Sequence, residues 1–301
     1  MARHDTLTAL RTGTPVVHRG NGCIQVGCDP DRGLVIQLPT TLRADDVVGF
    51  LRFLATARTP TEIRRTAGRW GLDEQVTRDL LDRLRDAGMV AEPDATEHAR
   101  SLRVRLHGRG PLTSRLTTLL REASIPMTVS AQRPRTAQGA ADAPLASWDE
   151  GLVVLTDHLS HDPAIVGGLM SRGIAHMPVR LRDGSGVIGP LVLPGRTSCL
   201  RCADHHRADR DPGWPLVAGQ MIGQVGHASA ATVAATAALA MEQIEQVGHG
   251  LRRSSPAPDG SRVESTAPQI IDHTLEYLPQ PARLRVRRWE PHPLCSCLFR
   301  R

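Results

Sequence analysis

Two short cysteine pairs, Cys199-Leu200-Arg201-Cys202 and Cys295-Ser296-Cys297, limit what this chain can fold into more than any other feature. A C-x-x-C turns two thiolates toward one point. A C-x-C supplies two more, and four is the number a closed tetrahedral zinc site needs. Such a site would clip the tail of the sequence onto its middle. It would contribute stability on the order of 10 kcal/mol at neutral pH. With all four positions taken by protein, no place is left for a reacting water, so the metal would be structural. The competing readings are four unrelated thiols or a single disulfide. The start Met1-Ala2-Arg3-His4-Asp5 is polar and no apolar run follows it. Paired cysteines without a secretory segment favour metal over disulfide and point to the cytoplasm.

At 301 residues the sequence is long enough for two domains. Apolar residues make up 40% and aromatic ones only 3%, so the cores must be built from Leu, Val, Ile and Ala. The longest apolar-looking stretch, Ala228 to Ala240, is short and broken by Ser229, Thr232 and Thr236, which excludes a membrane-spanning helix. Net charge is +6, and all of the basic charge is arginine, because the sequence contains no lysine. The arginines are spread along the chain, with short clusters at Arg64-Arg65, Arg252-Arg253 and Arg287-Arg288. That distribution argues against a nucleic acid partner and is compatible with an acidic peptide. Without lysine, neither a Schiff base nor a lysine over a phosphate is available.

The first third opens on a polar, glycine-containing stretch to about residue 22 that reads as a loose lead-in with one short strand, and it continues as strands, then helices, then a strand. Pro15-Val16-Val17, Ile24-Gln25-Val26 and Gly33 to Leu38 are strand-like, with a turn at Asp29-Pro30-Asp31-Arg32. Cys23 and Cys28 flank the second segment and read as packing or free thiols. A helix starts at Ala44. A second opens on Thr59-Pro60-Thr61-Glu62, an N-cap with proline in the first turn, and runs to Arg69. A third opens at Asp73-Glu74 and carries Val76, Leu80, Leu81 and Leu84 on one face. Met89-Val90-Ala91 returns as a strand. This order predicts a winged helix. Such a module can read DNA, bind a peptide at a strand edge and helix groove, or serve only for packing. Asp73, Glu74, Asp79, Asp82 and Asp86 would repel phosphate, so the peptide reading is favoured. Glu92 to Glu97 reads as a linker.

Next, Leu102 to His107 leads into Gly108-Arg109-Gly110 and a helix from Ser114. Strand, Gly-x-Gly, helix is the opening of a dinucleotide-type fold. Thr113 stands where the third glycine belongs, and Pro111 removes a backbone N–H. No acid follows the presumed second strand, Met127 to Ser130, to hold a ribose. The sequence runs instead into a loop from Ala131 to Thr136. The glycines then serve a tight turn, and ATP is not expected. Asp157 ends an apolar parallel strand, where it could face a ligand or cap the next turn. Asp162-Pro163 opens a helix. His176 to Leu181 and Val187 to Gly195 flank a turn at Asp183-Gly184 and lead into the first cysteine pair. Asp209 to Pro215 reads as a loop beneath the metal. Gln220 to Val247 reads as one long helix whose small residues suit close packing, including across a homodimer two-fold. Gly250 to Pro268 reads as flexible, followed by strands at Gln269 to Leu275 and Ala282 to Arg287.

The run ending GPLVLPG-TSCLRCADHHRADRDPGWP at Pro215, and the ending W-PHPLCSC, resemble the ThiF-type partner proteins of azole-forming cyclodehydratases, also called TOMM precursor leader-peptide-binding proteins. The first third is similar to the PqqD-like recognition element such proteins carry. The resemblance implies an α/β chain with a winged-helix, peptide-recognition domain over residues 1–96. A ThiF/Rossmann-like parallel-sheet domain with a four-cysteine zinc site would follow over residues 97–301. It further implies a non-catalytic scaffold that binds a precursor leader and presents the core to a YcaO-type enzyme. The expected zinc ligands are Cys199, Cys202, Cys295 and Cys297, with Gly108, Gly110 and Asp157 as a degenerate nucleotide loop. Two alternatives remain open at this level. One is an adenylating enzyme with Asp157 on magnesium and Arg109 on phosphate. The other is a winged-helix DNA-binding regulator.

Overall fold

A computed structural model describes residues 7–91, 102–131, 145, 147–252 and 268–298. The chain divides into two compact units, Met1–Thr96 and Glu97–Arg301. The stretches read from sequence as the linker after Glu92, as the loop beyond Ala131 and as most of the flexible run before Pro268 lie outside the described residues.

In the first unit, β2 (Val16–Gly20), β3 (Cys23–Val26) and β4 (Leu34–Gln37) form an antiparallel three-stranded sheet. Alternation puts Ile24, Val26 and Ile36 on its inner face. They pack against Phe50 and Leu51 of α1 (Ala44–Phe53), Ile63 of α2 (Pro60–Arg69), and Leu80 and Leu84 of α3 (Glu74–Asp86). Thr59 begins α2 with a reciprocal capping box: Glu62 N–H donates to Thr59 Oγ1 (3.2 Å), and Thr59 N–H donates to Glu62 Oε2 (2.8 Å). Asp73 caps α3 through Val76 N–H at 2.8 Å. The mixed charges on α3 pair with one another along its exposed face, Arg78 with Glu74 (3.0 Å) and Arg85 with Asp82 (2.6 Å). Gly88, at φ +65°, ends the helix and turns the chain into β5 (Val90–Ala91). There β5 pairs antiparallel with β1 (Ala9–Leu10), inside a stretch that reads as a loose lead-in. Leu10 is buried and belongs to the core, a role fixed by its distant partner and not by its polar neighbours.

The second unit is built on a seven-stranded sheet of order β12-β11-β10-β9-β8-β6-β7. Four strands are parallel: β6 (Val104–His107), β7 (Met127–Ser130), β8 (Leu152–Thr156) and β9 (His176–Arg182). The remaining three, β10 (Ser185–Ile188), β11 (His273–Pro279) and β12 (Ala282–Arg288), extend it antiparallel. Every residue of β8 is buried, as a strand covered on both faces requires. One face carries α4 (Pro111–Glu122) and α8 (Ala230–Arg252), packed on Val104, Leu106, Val154, Val179 and Leu181. The other carries α5 (Pro163–Ser171), packed on Val153 and Leu155.

The helix expected over Gln220 to Val247 forms only from Ala230 on. A short α7 (Trp214–Gln220) is followed by an extended stretch, and α8 begins only at Ala230. The backbone between them bonds to the loop after β8: Leu159 N–H donates to Gln224 O (2.9 Å), and Gly226 N–H to Asp157 O (3.0 Å). The small residues of α8 serve contact with the sheet inside this chain. A Cβ on Gly186 would lie 1.9 Å from Thr236 Oγ1, so glycine in β10 is what lets the helix approach.

Candidate metal centre and glycine loop

The strand β10 and the segment after it deliver the chain to α6 (Leu200–Ala208) with Cys199 as the residue before its first turn. Cys202, three residues on, returns its side chain to the same side. Ser198 N–H is held by Asp272 Oδ1 at 2.7 Å, and Thr197 Oγ1 accepts from Leu193 N–H at 2.9 Å. The second pair arrives from β12 through a fixed strap. Trp289 N–H donates to Asp272 O (2.7 Å) and its indole N–H to Thr274 Oγ1 (3.1 Å). Asp272 therefore anchors both approaches to the cluster.

The four sulfurs meet in the interior. Sγ–Sγ distances are 3.8 Å (Cys199–Cys202), 3.6 Å (Cys199–Cys295) and 3.4 Å (Cys202–Cys297). All four lie within 4.8 Å of one another. Tetrahedral zinc thiolates at about 2.3 Å from the metal place their sulfurs about 3.8 Å apart. A disulfide needs about 2.05 Å, and all four are free cysteines. The cluster is buried, with Cys297 and Cys295 each 6% exposed. A thiol hydrogen bond from Cys199 holds the Cys202 thiol down at about 4, while the same bond and burial push Cys199 up. Burial pushes Cys297 up to about 12. Buried thiolates at this spacing repel one another, and a divalent cation is the chemistry that offsets this. The residues present fit a closed, four-thiolate metal site with no open position. Cys23 lies elsewhere, its thiol donating to Gln37 Oε1 at 2.8 Å, and Cys28 is exposed.

His206, Asp209 and His292 also come within 4.8 Å of one another. Their hydrogen bonds point to a clasp. His292 Nδ1 accepts from Leu294 N–H (3.2 Å), which leaves the proton on Nε2 to donate to Asp209 Oδ2 (2.9 Å). His206 Nε2 donates to Glu290 O at 2.9 Å. The three groups tie the tail to α6 beside the cysteines.

Gly108, Gly110 and Asp157 are brought together at the ends of β6 and β8, and their contacts are with each other's elements. A Cβ on Gly108 would lie 2.2 Å from Thr156 Oγ1, and one on Gly110 2.7 Å from Asp157 Oδ1. Asp157 is fully buried at φ +68°. Its Oδ1 accepts from Leu112 N–H (2.9 Å); its Oδ2 accepts from Thr113 N–H (3.0 Å) and Thr113 Oγ1 (2.5 Å). A helix N-terminus presents free N–H groups and a positive dipole end, which is where a phosphate binds in nucleotide folds. Here a carboxylate of the chain itself occupies that place. Thr113, standing at the absent third glycine, supplies the closing hydroxyl. Arg109 is exposed.

The sheet order, the glycine turn after the first parallel strand and the four-cysteine cluster define a ThiF-like α/β fold. Solved structures share it. One is a heterocyclase in complex with substrate and cofactor: TM-score 0.66, 15% identity, 97% of this chain but 39% of that one. Another is E. coli MccB with ATP: TM-score 0.61, 11% identity, 97% of this chain and 99% of that one. A third is the microcin C7 biosynthetic enzyme MccB in complex with N-formylated MccA, at TM-score 0.60 and 12% identity, with the same coverages. No family model matches the chain, and no curated protein matches it in sequence.

Proposed function

We propose that this chain is a non-catalytic, leader-binding scaffold in the biosynthesis of ribosomal peptides, working beside a YcaO-type cyclodehydratase. The observation that carries this reading is the carboxylate of Asp157 on the N-terminus of α4. An adenylating enzyme must place triphosphate near such a turn. Here the turn already holds an anion through three hydrogen bonds, and a phosphate would meet like charge. The absence of lysine from the sequence agrees with this. The first unit supplies the features a peptide needs: β4 lies at an edge of its sheet, with Val35 exposed near Arg83 of α3. In this reading the unit is a winged-helix recognition element. Cys199, Cys202, Cys295 and Cys297 hold a structural zinc, which when bound offsets half of the charge of four thiolates and fixes the segment that carries the second cysteine pair. Titration calorimetry of the full chain with the leader encoded beside its gene tests the role. Binding in the micromolar range or tighter is expected, and no binding to any neighbouring leader overturns it.

One observation favours a second reading, ATP-dependent adenylation of a peptide: the chain spans nearly all of MccB but less than half of the heterocyclase. ATP–pyrophosphate exchange driven by a precursor peptide would decide for it.

A further inference from the structure

On the α5 side of the sheet, beyond the ends of β8 and β9, lies a pocket of about 530 Å³. It is distinct from the glycine loop. That volume is in the range of small-ligand sites, roughly 300–1,000 Å³. Its walls come from α5, α6, α7 and the loop after β8, and one end runs to the cysteine cluster. The loop is pinned by short pairings of His158 with Val225 and Ser160 with Ile222. Exposed wall residues, Pro163 and Gly167 among them, give the pocket an entrance.

Most of the wall is apolar, with Val166, Met170 and Leu200 among its residues. Two buried polar groups break the pattern. Arg180, on β9, is 9% exposed. Its Nη1 donates to Leu159 O (3.1 Å), its Nε has no partner, and no carboxylate among the described residues pairs with it. Burial pushes its guanidinium down to about 9, which still leaves a cation at neutral pH. His161 Nε2 is likewise buried with no partner, and burial holds its ring neutral. An unpaired charge in a low-dielectric wall is costly, and the cost is relieved when an anion arrives.

The anion's character follows from the rest of the wall. Arg207, partly buried in the same wall, is already paired with Asp204 at 2.8 Å and covered by the Trp214 and Trp289 rings. Asp204 itself lines the pocket, and the thiolate cluster lies at one end. A phosphate dianion would face the Asp204 carboxylate, whereas Arg180 is the one buried open guanidinium of the wall, Arg201 being exposed, and it matches a single negative charge. We propose that this pocket binds an apolar monocarboxylate, its carboxylate on Arg180 with His161 beside it and its body against Val166, Met170 and Leu200. The inference stands on the pocket alone and holds whether or not the chain binds a leader. The acid is either a free small molecule or the terminal residue of a peptide.

Calorimetry on the full chain tests this with four probes: 3-phenylpropionate, its neutral amide, and Ala-Ala-Phe with a free or an amidated end. At least one free acid is expected to bind, with its amide at least tenfold weaker. Binding of 3-phenylpropionate identifies a small-molecule site, and binding of the tripeptide alone identifies a chain-end site. Arg180→Gln is expected to abolish the preference for acid over amide. Gly167→Phe is a second variant for the case that Arg180→Gln does not fold. A Cβ there meets no atom within 4 Å, so the ring should block the pocket without unfolding the chain. Failure of both acids to bind, equal binding of acid and amide, or undiminished binding by a folded Gly167→Phe protein overturns the proposal.

Discussion

Asp157 shows how much one side chain decides here. Its carboxylate satisfies two N–H groups and a hydroxyl at the start of α4, from a backbone conformation that aspartate tolerates better than most residues. Asp157→Asn keeps the shape but puts an amide N–H against a donor, so a loss of about 2 kcal/mol is expected in urea unfolding of the second unit. His176 is a residue of the opposite kind, buried and neutral. Its Nδ1–H donates to Ile174 O at 2.9 Å, its Nε2 has no partner, and burial lowers it from its ordinary 6.5 to about 4. Above pH 6.5 the ring is neutral folded or unfolded and contributes no pH dependence. Between 6.5 and 4 only the unfolded chain takes up the proton, so stability falls as pH falls through that window. At pH 5 the loss is about 2 kcal/mol. Urea midpoints at pH 7 and pH 5 should therefore lie closer together in His176→Asn than in the parent chain, and equal slopes would disprove this account. Neither role is legible locally. The sequence leaves Asp157 open between ligand site and cap, and only its bonds to Leu112 and Thr113 of α4, 45 and 44 residues earlier in the chain, decide. Arg180 and His161 carry no spacing signature at all.

At the scale of elements, local chemistry was a reliable guide wherever it was self-contained. Thr59, Pro60 and Glu62 announce α2, and the structure shows both bonds of the capping box. Thr59→Ala removes one of them and should cost about 1 kcal/mol, read as a shift in the urea midpoint of the first unit. The turn at Asp183-Gly184, the N-caps at Asp73 and Asp162, and the glycine turn after β6 belong to the same class. The errors fall where a distant partner outweighs propensity. The stretch 222–226 carries Gly223 at φ +76° and Gly226, and its N–H and C=O groups bond to the loop after β8, so the helix expected from Gln220 begins only at Ala230. Residues 9–10 look like lead-in until β5 comes back to pair with them. Gly108 shows the constraint from packing: a Cβ would lie 2.3 Å from Thr156 O, which is backbone and cannot move aside.

At the scale of the whole molecule, the cysteine pairs were legible because four thiols in two tight pairs have few other uses. The sequence could not show the strap that presents them, Asp272 to Ser198 and Trp289, and His292 to Asp209, since each bond joins residues far apart in the chain. If the cluster holds zinc, elemental analysis should find one metal per chain. Cys199→Ser should lose it and destabilise the second unit by several kcal/mol, while the first unit keeps its own urea transition. Metal-free protein with unchanged unfolding would refute the structural role.

The two half-sites lie about a hundred positions apart, with Cys202 and Cys297 separated by 95. During synthesis the ribosome releases the first half-site long before the second exists, and two thiolates cannot close a metal's coordination shell. If the cluster holds a metal, retention of the ion would report that translation has passed Cys297 and that α8, β11 and β12 have already found their places between the halves. A nascent or truncated chain that stops short of that point would be open to chelators and proteases, and quality control would have a chemical mark by which to tell it from the finished one.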